Sequence, residues 1–182
     1  SHGILLWEYA NGIDSSVVEP NPAQAKGIGN STTMPTDALS IEDMKPVLLK
    51  LCESVCARLR KAHMYAGTIT VEIKYSNFHS CSHQIALPSP DYSSTVIYET
   101  SLSLLQELWN GTPVRLLGVR ATRLTDETAP IQLDLFSYQE HTGQTEKNRR
   151  LDKTIDAIRR KYGEGAIMRG SLLSHTDTHS SN

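Results

Sequence analysis

At 182 residues, with 38% hydrophobic and 21% charged side chains, the chain has material for one ordinary core with polar flanks, or for two very small domains. A formal net charge of −2 excludes a uniformly basic or acidic surface, so any charged partner must be met by local sorting of charge. No apolar run of about 18 residues is present, so no helical membrane span and no membrane partner are expected. No charged-then-apolar leader is visible either. The start at Ser1-His2-Gly3 is that expected of a piece of a longer protein. Three cysteines, Cys52, Cys56 and Cys81, are an odd count that suits a reducing cytoplasm better than a disulfide scaffold.

Residues 1–14 read as a short helix carrying Ile4, Leu5, Trp7 and Tyr9, stopped at Asn11-Gly12. A linker over 15–25 follows, in which Pro20 and Pro22 discourage regular structure. Lys26 to Met34 has the glycines and threonines of an irregular or edge strand. Ser40 then caps a helix whose first turn holds Glu42 and Asp43, and whose apolar positions from Met44 to Leu59 recur at three and four residues. Thr68 to Tyr75 alternates, with Ile69, Val71, Ile73 and Tyr75 on one face and Thr68, Thr70, Glu72 and Lys74 on the other. A second strand returns over about Ser80 to Leu87, and a second helix runs from about Ser93 to Trp109, ended by Asn110-Gly111. Pro113 to Leu124 is the last strand. Its Leu116-Leu117-Gly118 breaks alternation, which predicts a bulge that lets Val114, Leu116, Val119 and Ala121 share the buried face.

The order strand, helix, strand, strand, helix, strand predicts an α+β fold. A four-stranded, mostly antiparallel sheet over 26–124 would carry both helices on one face and leave the other face open. Charge is sorted accordingly. The strands hold Lys26, Lys74, Arg115, Arg120 and Arg123 against Glu72, while the helices hold Glu42, Asp43, Glu53, Glu99 and Glu107. Arginines interleaved with threonines offer donors to phosphate oxygens, and the lack of aromatics on that face favours backbone contact over base stacking. A solvated sheet face with scattered bases is the competing reading.

The segments "KGIGNSTTM", "GTITVEIKYS" and "VRLLGVRATRL", in that order, resemble the little-finger domain of Y-family translesion DNA polymerases of the DinB and UmuC type. "WEYANGID" resembles the last helix of the preceding thumb domain. The resemblance implies a sheet docked on primer-template DNA, with Lys26, Ser31 and Thr32 on the first strand and Arg115, Arg120 and Thr122 on the last gripping phosphates. Lys74 joins them from the charge sorting. Gly27 and Gly29 would permit close approach of backbone to phosphate, or are simple turn glycines.

Residues 130–137, "PIQLDLFS", resemble the peptide by which bacterial proteins bind the sliding clamp. Leu133, Leu135 and Phe136 would fill an apolar pocket on the clamp while the Gln132 amide hydrogen-bonds at its rim. An extra edge strand is the alternative, since Leu133, Leu135 and Ser137 alternate.

Residues 138–182 read as a polar tail with an amphipathic helix at about 150–163, carrying Leu151, Ile155, Ile158 and Tyr162 on one side and ending at Gly163. It resembles an extra C-terminal helix of some family members. Packing on the little finger, binding a partner and folding only in a complex stay open as its role. Cys52 and Cys56 fall on the core-facing stripe of their helix, so a metal pair with His79 or His83 is discounted.

The parent enzyme would hold magnesium in its palm. Neither Asp126-Glu127 nor Glu42-Asp43 suits that task, so no cofactor and no catalytic residue are expected in this chain. The function expected is DNA gripping and clamp tethering for an error-prone polymerase. The alternative is a protein-interaction module from a non-catalytic relative.

Overall fold

The computed structural model describes residues 2–14, 16–17, 25–128 and 138–172, with the backbone alone at 138–145 and 171. After helix α1 (His2–Ala10) come β1 (Gly27–Ala38), α2 (Ile41–Lys61), β2 (Met64–Tyr75), β3 (Ser80–Asp91), α3 (Ser94–Leu108), β4 (Val114–Asp126) and α4 (Tyr138–Tyr162). Two single 3-10 turns, Glu164–Ala166 and Gly170–Leu172, follow α4. The four strands form one antiparallel sheet in the order β1-β4-β2-β3, so β1 and β3 are its edges. The order of elements is the one the sequence predicts, but three strands are longer by four residues: β1 runs past Met34 to Ala38, β2 starts before Thr68 at Met64, and β3 continues past Leu87 to Asp91.

Helix α2 starts as the sequence dictates. The Ser40 hydroxyl accepts from the Asp43 amide at 3.2 Å, and the Asp43 carboxylate accepts from the Leu39 amide at 3.1 Å, so two otherwise orphaned donors are satisfied reciprocally. β1 runs through Pro35, which an edge strand tolerates because no neighbour needs that missing N–H; its regular pairing ends at Thr33.

The core lies between one sheet face and the two helices. Ile69, Val71, Ile73, Leu117, Val119 and Ala121 from the sheet pack against Leu48, Val55 and Leu59 of α2 and Ile97 and Leu105 of α3. Burying each large aliphatic stabilises the fold by about 1.5–3 kcal/mol relative to exposure. Cys52 and Cys56 are fully buried in this layer.

Two expectations need correction. The β4 irregularity lies before Leu116 rather than after it, where Lys74 pairs with Leu116 but Tyr75 pairs with Val114, so Arg115 is the extra residue. Val114, Leu117, Val119 and Ala121 therefore share the buried face and Leu116 turns to the open one. Both readings rescue four apolar positions; the pairing geometry selects Arg115, which carries a charge the core would not admit.

Helix α4 begins at Tyr138, about a dozen residues before the predicted start. Leu151 and Tyr162, read as its apolar stripe, are largely exposed, whereas Asp152 is 3% exposed. Ile155 and Ile158 of the predicted stripe are half-buried, and the inward side of α4 also carries the buried Asp152 and the half-buried Arg149, Asp156 and Arg159, which pack by charge.

Candidate nucleic-acid interface

The open face of the sheet is built from four cross-strand rows. From β1 through β4 and β2 to β3 they read Gly27, Thr122, Thr68, Ala86; Gly29, Arg120, Thr70, Gln84; Ser31, Gly118, Glu72, Ser82; and Thr33, Leu116, Lys74, Ser80. Each row lies between rows of buried residues on the helix side, because successive side chains of a strand point to opposite faces. Small and hydroxyl-bearing side chains dominate, with Arg120 and Lys74 as bases, Glu72 as the acid and no aromatic ring. Such a surface is shallow, and a polyanion can approach its backbone closely. The Thr70 hydroxyl donates to the Gln84 side-chain oxygen at 3.4 Å, while the Thr68 hydroxyl is buried without a partner among the described residues.

Of the predicted site residues, Gly27, Gly29, Ser31, Lys74, Arg120 and Thr122 are brought together on this face. Lys26 is exposed just before β1. Thr32 is not with them, since its register partner is the buried Leu117 and it lies on the helix side of the edge strand. Arg115, the bulge residue, leaves the rows. Its Nε meets the Asp37 carboxylate at 3.2 Å, and its guanidinium lies 5.0 Å from the ring centre of Phe78, which is 65% exposed at the β2–β3 turn. Arg115 thus ties the end of β1 to that turn.

Neither glycine sits in a turn. A Cβ on Gly27 would lie 2.9 Å from the Ala121 carbonyl oxygen, and one on Gly29 would lie 3.2 Å from the Arg120 Cβ, so both let β1 approach β4 closely. Thr33, one of the threonines read as an outward donor, does lie on the open face, while sequence reasoning missed Leu116, Ser82 and Gln84 there. Alternation of Ser80, Ser82, Gln84 and Ala86 was the available signal for β3. Gln132, Leu133, Leu135 and Phe136 lie outside the described residues.

The acids beside the sheet are engaged elsewhere. Thr128 bonds to Asp126 and holds its carboxyl below the usual range, and His63, then Lys153, do the same for Glu127. Among the described residues no group of three or more His, Cys, Asp or Glu side chains converges as a metal site would require. No helix among the described residues is long and apolar enough to cross a membrane.

Residues 25–135 match the profile of the impB/mucB/samB family C-terminal domain. The chain belongs to this family, and it is the C-terminal, little-finger region of a Y-family polymerase type. It is 39% identical over 173 residues to a DNA polymerase IV of Clostridium acetobutylicum, a match covering 95% of this chain and 42% of that protein. A DNA polymerase IV 2 of Halalkalibacterium halodurans is 35% identical over 178 residues, again 95% of this chain and 42% of the relative. The chain thus spans less than half the length of these relatives. Among known structures it is similar to the little finger domain of PolIV in complex with a beta-clamp processivity factor, with 21% identity, TM-score 0.45, and coverage of 60% of this chain and 97% of that one. It is also similar to a post-insertion binary complex of Dbh DNA polymerase, with 20% identity, TM-score 0.49, and coverage of 69% and 36%.

Proposed function

We propose that this chain is the DNA-gripping and clamp-tethering part of an error-prone translesion DNA polymerase that works in the cytoplasm. The observation that carries the reading is the set of four open rows, in which Arg120 and Lys74 stand among hydroxyls and glycines with no ring to stack on a base. Such a face contacts phosphates without reading sequence, as an enzyme sliding past varied and damaged template requires. Lys26, Gly27, Gly29, Ser31 and Thr122 frame the two bases. Thr32 and Arg115 would reach DNA only from the sheet's margins. Residues 130–137 supply the sliding-clamp contact, and nucleotidyl transfer with magnesium belongs to the parent's palm.

Leu116 and Glu72 on the same face favour a second reading, contact with a protein. Salt dependence separates the two. Lys74→Glu with Arg120→Glu should weaken binding to a short duplex and lower the slope of log K against log salt by about 1.8, at about 0.9 per lost phosphate contact. An unchanged slope would remove DNA from this face.

A further inference from the structure

A groove of about 510 Å³ runs along the outer side of α2, between that helix and the segment after α4. Lys50, Arg58 and Lys61 line its α2 side, and Ile167, Met168 and Leu172 line the other. Its charge is more one-sided than its composition suggests. Glu53 is held by Arg159 at 3.0 Å and by Arg169 at 2.8 Å, so its charge is already met. Lys50 and Lys61 enter no ion pair among the described residues and are exposed. Glu164 is the remaining acid of the lining. Positions 50, 54, 58 and 61 recur at four, four and three residues, so they form one stripe along α2. From Lys50 to Lys61 that stripe spans about 16 Å at a rise of 1.5 Å per residue.

The stripe is continuous with the open sheet face. Gly29 of the edge strand pairs with Arg120, and the carbonyl of that same Gly29 accepts from Arg58 Nη1 at 2.8 Å. Bases on the two sides of the domain are therefore separated by the width of one strand. We propose that single-stranded DNA follows this track, leaving the sheet face over β1 and lying along α2 in the groove, with phosphates toward Lys50, Arg58 and Lys61. The proposal rests on the reading of the sheet as a DNA surface. A single strand is the occupant because a duplex, with a persistence length of about 50 nm, does not turn over one strand's edge. The groove offers no aromatic platform, so the contact is electrostatic and carries little sequence preference.

The test compares a blunt duplex with the same duplex bearing a single-stranded overhang, titrated with the chain over a series of salt concentrations. The overhang should tighten binding. Lys50→Glu with Lys61→Glu should remove that gain and lower the salt slope on the overhang substrate by about 1.4, at about 0.7 per contact for a single strand. Binding to the blunt duplex should be unaffected. Lys147→Glu with Lys161→Glu, an equal charge change on exposed positions of α4, should leave both substrates unaffected. If the groove variant keeps the overhang gain while Lys74→Glu with Arg120→Glu abolishes binding, the track is wrong and the sheet reading stands. If the sheet variant has no effect either, the DNA reading itself fails. An equal loss in the α4 variant would reduce the effect to net charge and overturn the track.

Discussion

Arg60 of α2 holds Asp156 of α4 through both carboxylate oxygens, Nε to Oδ2 at 2.5 Å and Nη2 to Oδ1 at 2.9 Å, although the two residues are 96 apart in sequence. The same guanidinium reaches Asp152 and the Tyr92 carbonyl at 3.4 and 3.3 Å. Burial alone pushes the Arg60 pKa down, but the bond and charge of Asp156 outweigh it and hold the group above its ordinary value. Asp152 in turn accepts from the Ser94 amide at 2.8 Å, where the N-cap Ser93 makes no side-chain bond of its own. A carboxylate from α4 therefore finishes the N-terminus of α3, which the helix dipole favours. Arg149 completes the seam, pairing with Asp91 at 3.1 Å and lying over the stacked rings of Tyr65 and Tyr92.

Asp152→Ala should destabilise the chain by about 3–5 kcal/mol, because it removes one of the two carboxylates that neutralise the buried Arg60 and uncaps α3. Asp156→Ala should cost less, since the Asp156 side chain is five times as exposed as that of Asp152, 20% against 4%. Urea unfolding midpoints at one pH rank the two variants. Equal midpoints would mean that α4 is not held through Asp152.

Lys153 of α4 meets Glu127 at the end of β4 at 3.4 Å, so residues 129–137 connect two elements that are both anchored to the domain. Gln132, Leu135 and Phe136 changed together to Ala should abolish binding to a bacterial sliding clamp, which for a peptide this short is expected at roughly micromolar Kd. The unfolding midpoint should stay where it was. A lower midpoint with clamp binding intact would instead make the segment an edge strand.

The limits of the sequence reading fall where charge does the packing. β2 was legible because Ile69, Val71 and Ile73 face a core and Thr70, Glu72 and Lys74 do not, so the period of two is unbroken. α4 was legible only in part: Ile155 and Ile158 are half-buried as their spacing predicts, but Arg149, Asp152, Asp156 and Arg159 turn inward as well, and a pattern search for apolar positions assigns those residues to solvent. Their partners Glu53, Arg60 and Asp91 lie on α2 and β3, and no local spacing announces pairings across 58 to 106 residues. Of the candidate site, alternation placed Lys74, and order along β4 placed Arg120 and Thr122. Arg115 was misplaced because the bulge falls on it rather than after Leu116, which turns Leu116 to the open face and takes Arg115 out of the rows while Val114 stays buried.

The two helix cysteines give a pH dependence with a definite sign. Burial pushes the Cys52 thiol up to about 12 and moves Cys56 upward as well, while in the unfolded chain both would ionise near the ordinary value of 9.0. A folded-state pKa above the unfolded one means that the native state binds more protons between the two values, so stability must fall as pH rises through that window. The contribution is complete below pH 9 and is lost progressively towards pH 12, the range set by Cys52. Replacing both thiols by Ala should flatten that part of the stability profile, at the cost of two small cavities at every pH. In the native chain at pH 8, a thiol reagent should modify the half-buried Cys81 first and reach Cys52 and Cys56 only at the rate of unfolding. Three thiols reacting at one rate would show that the α2 layer opens far more readily than its packing implies.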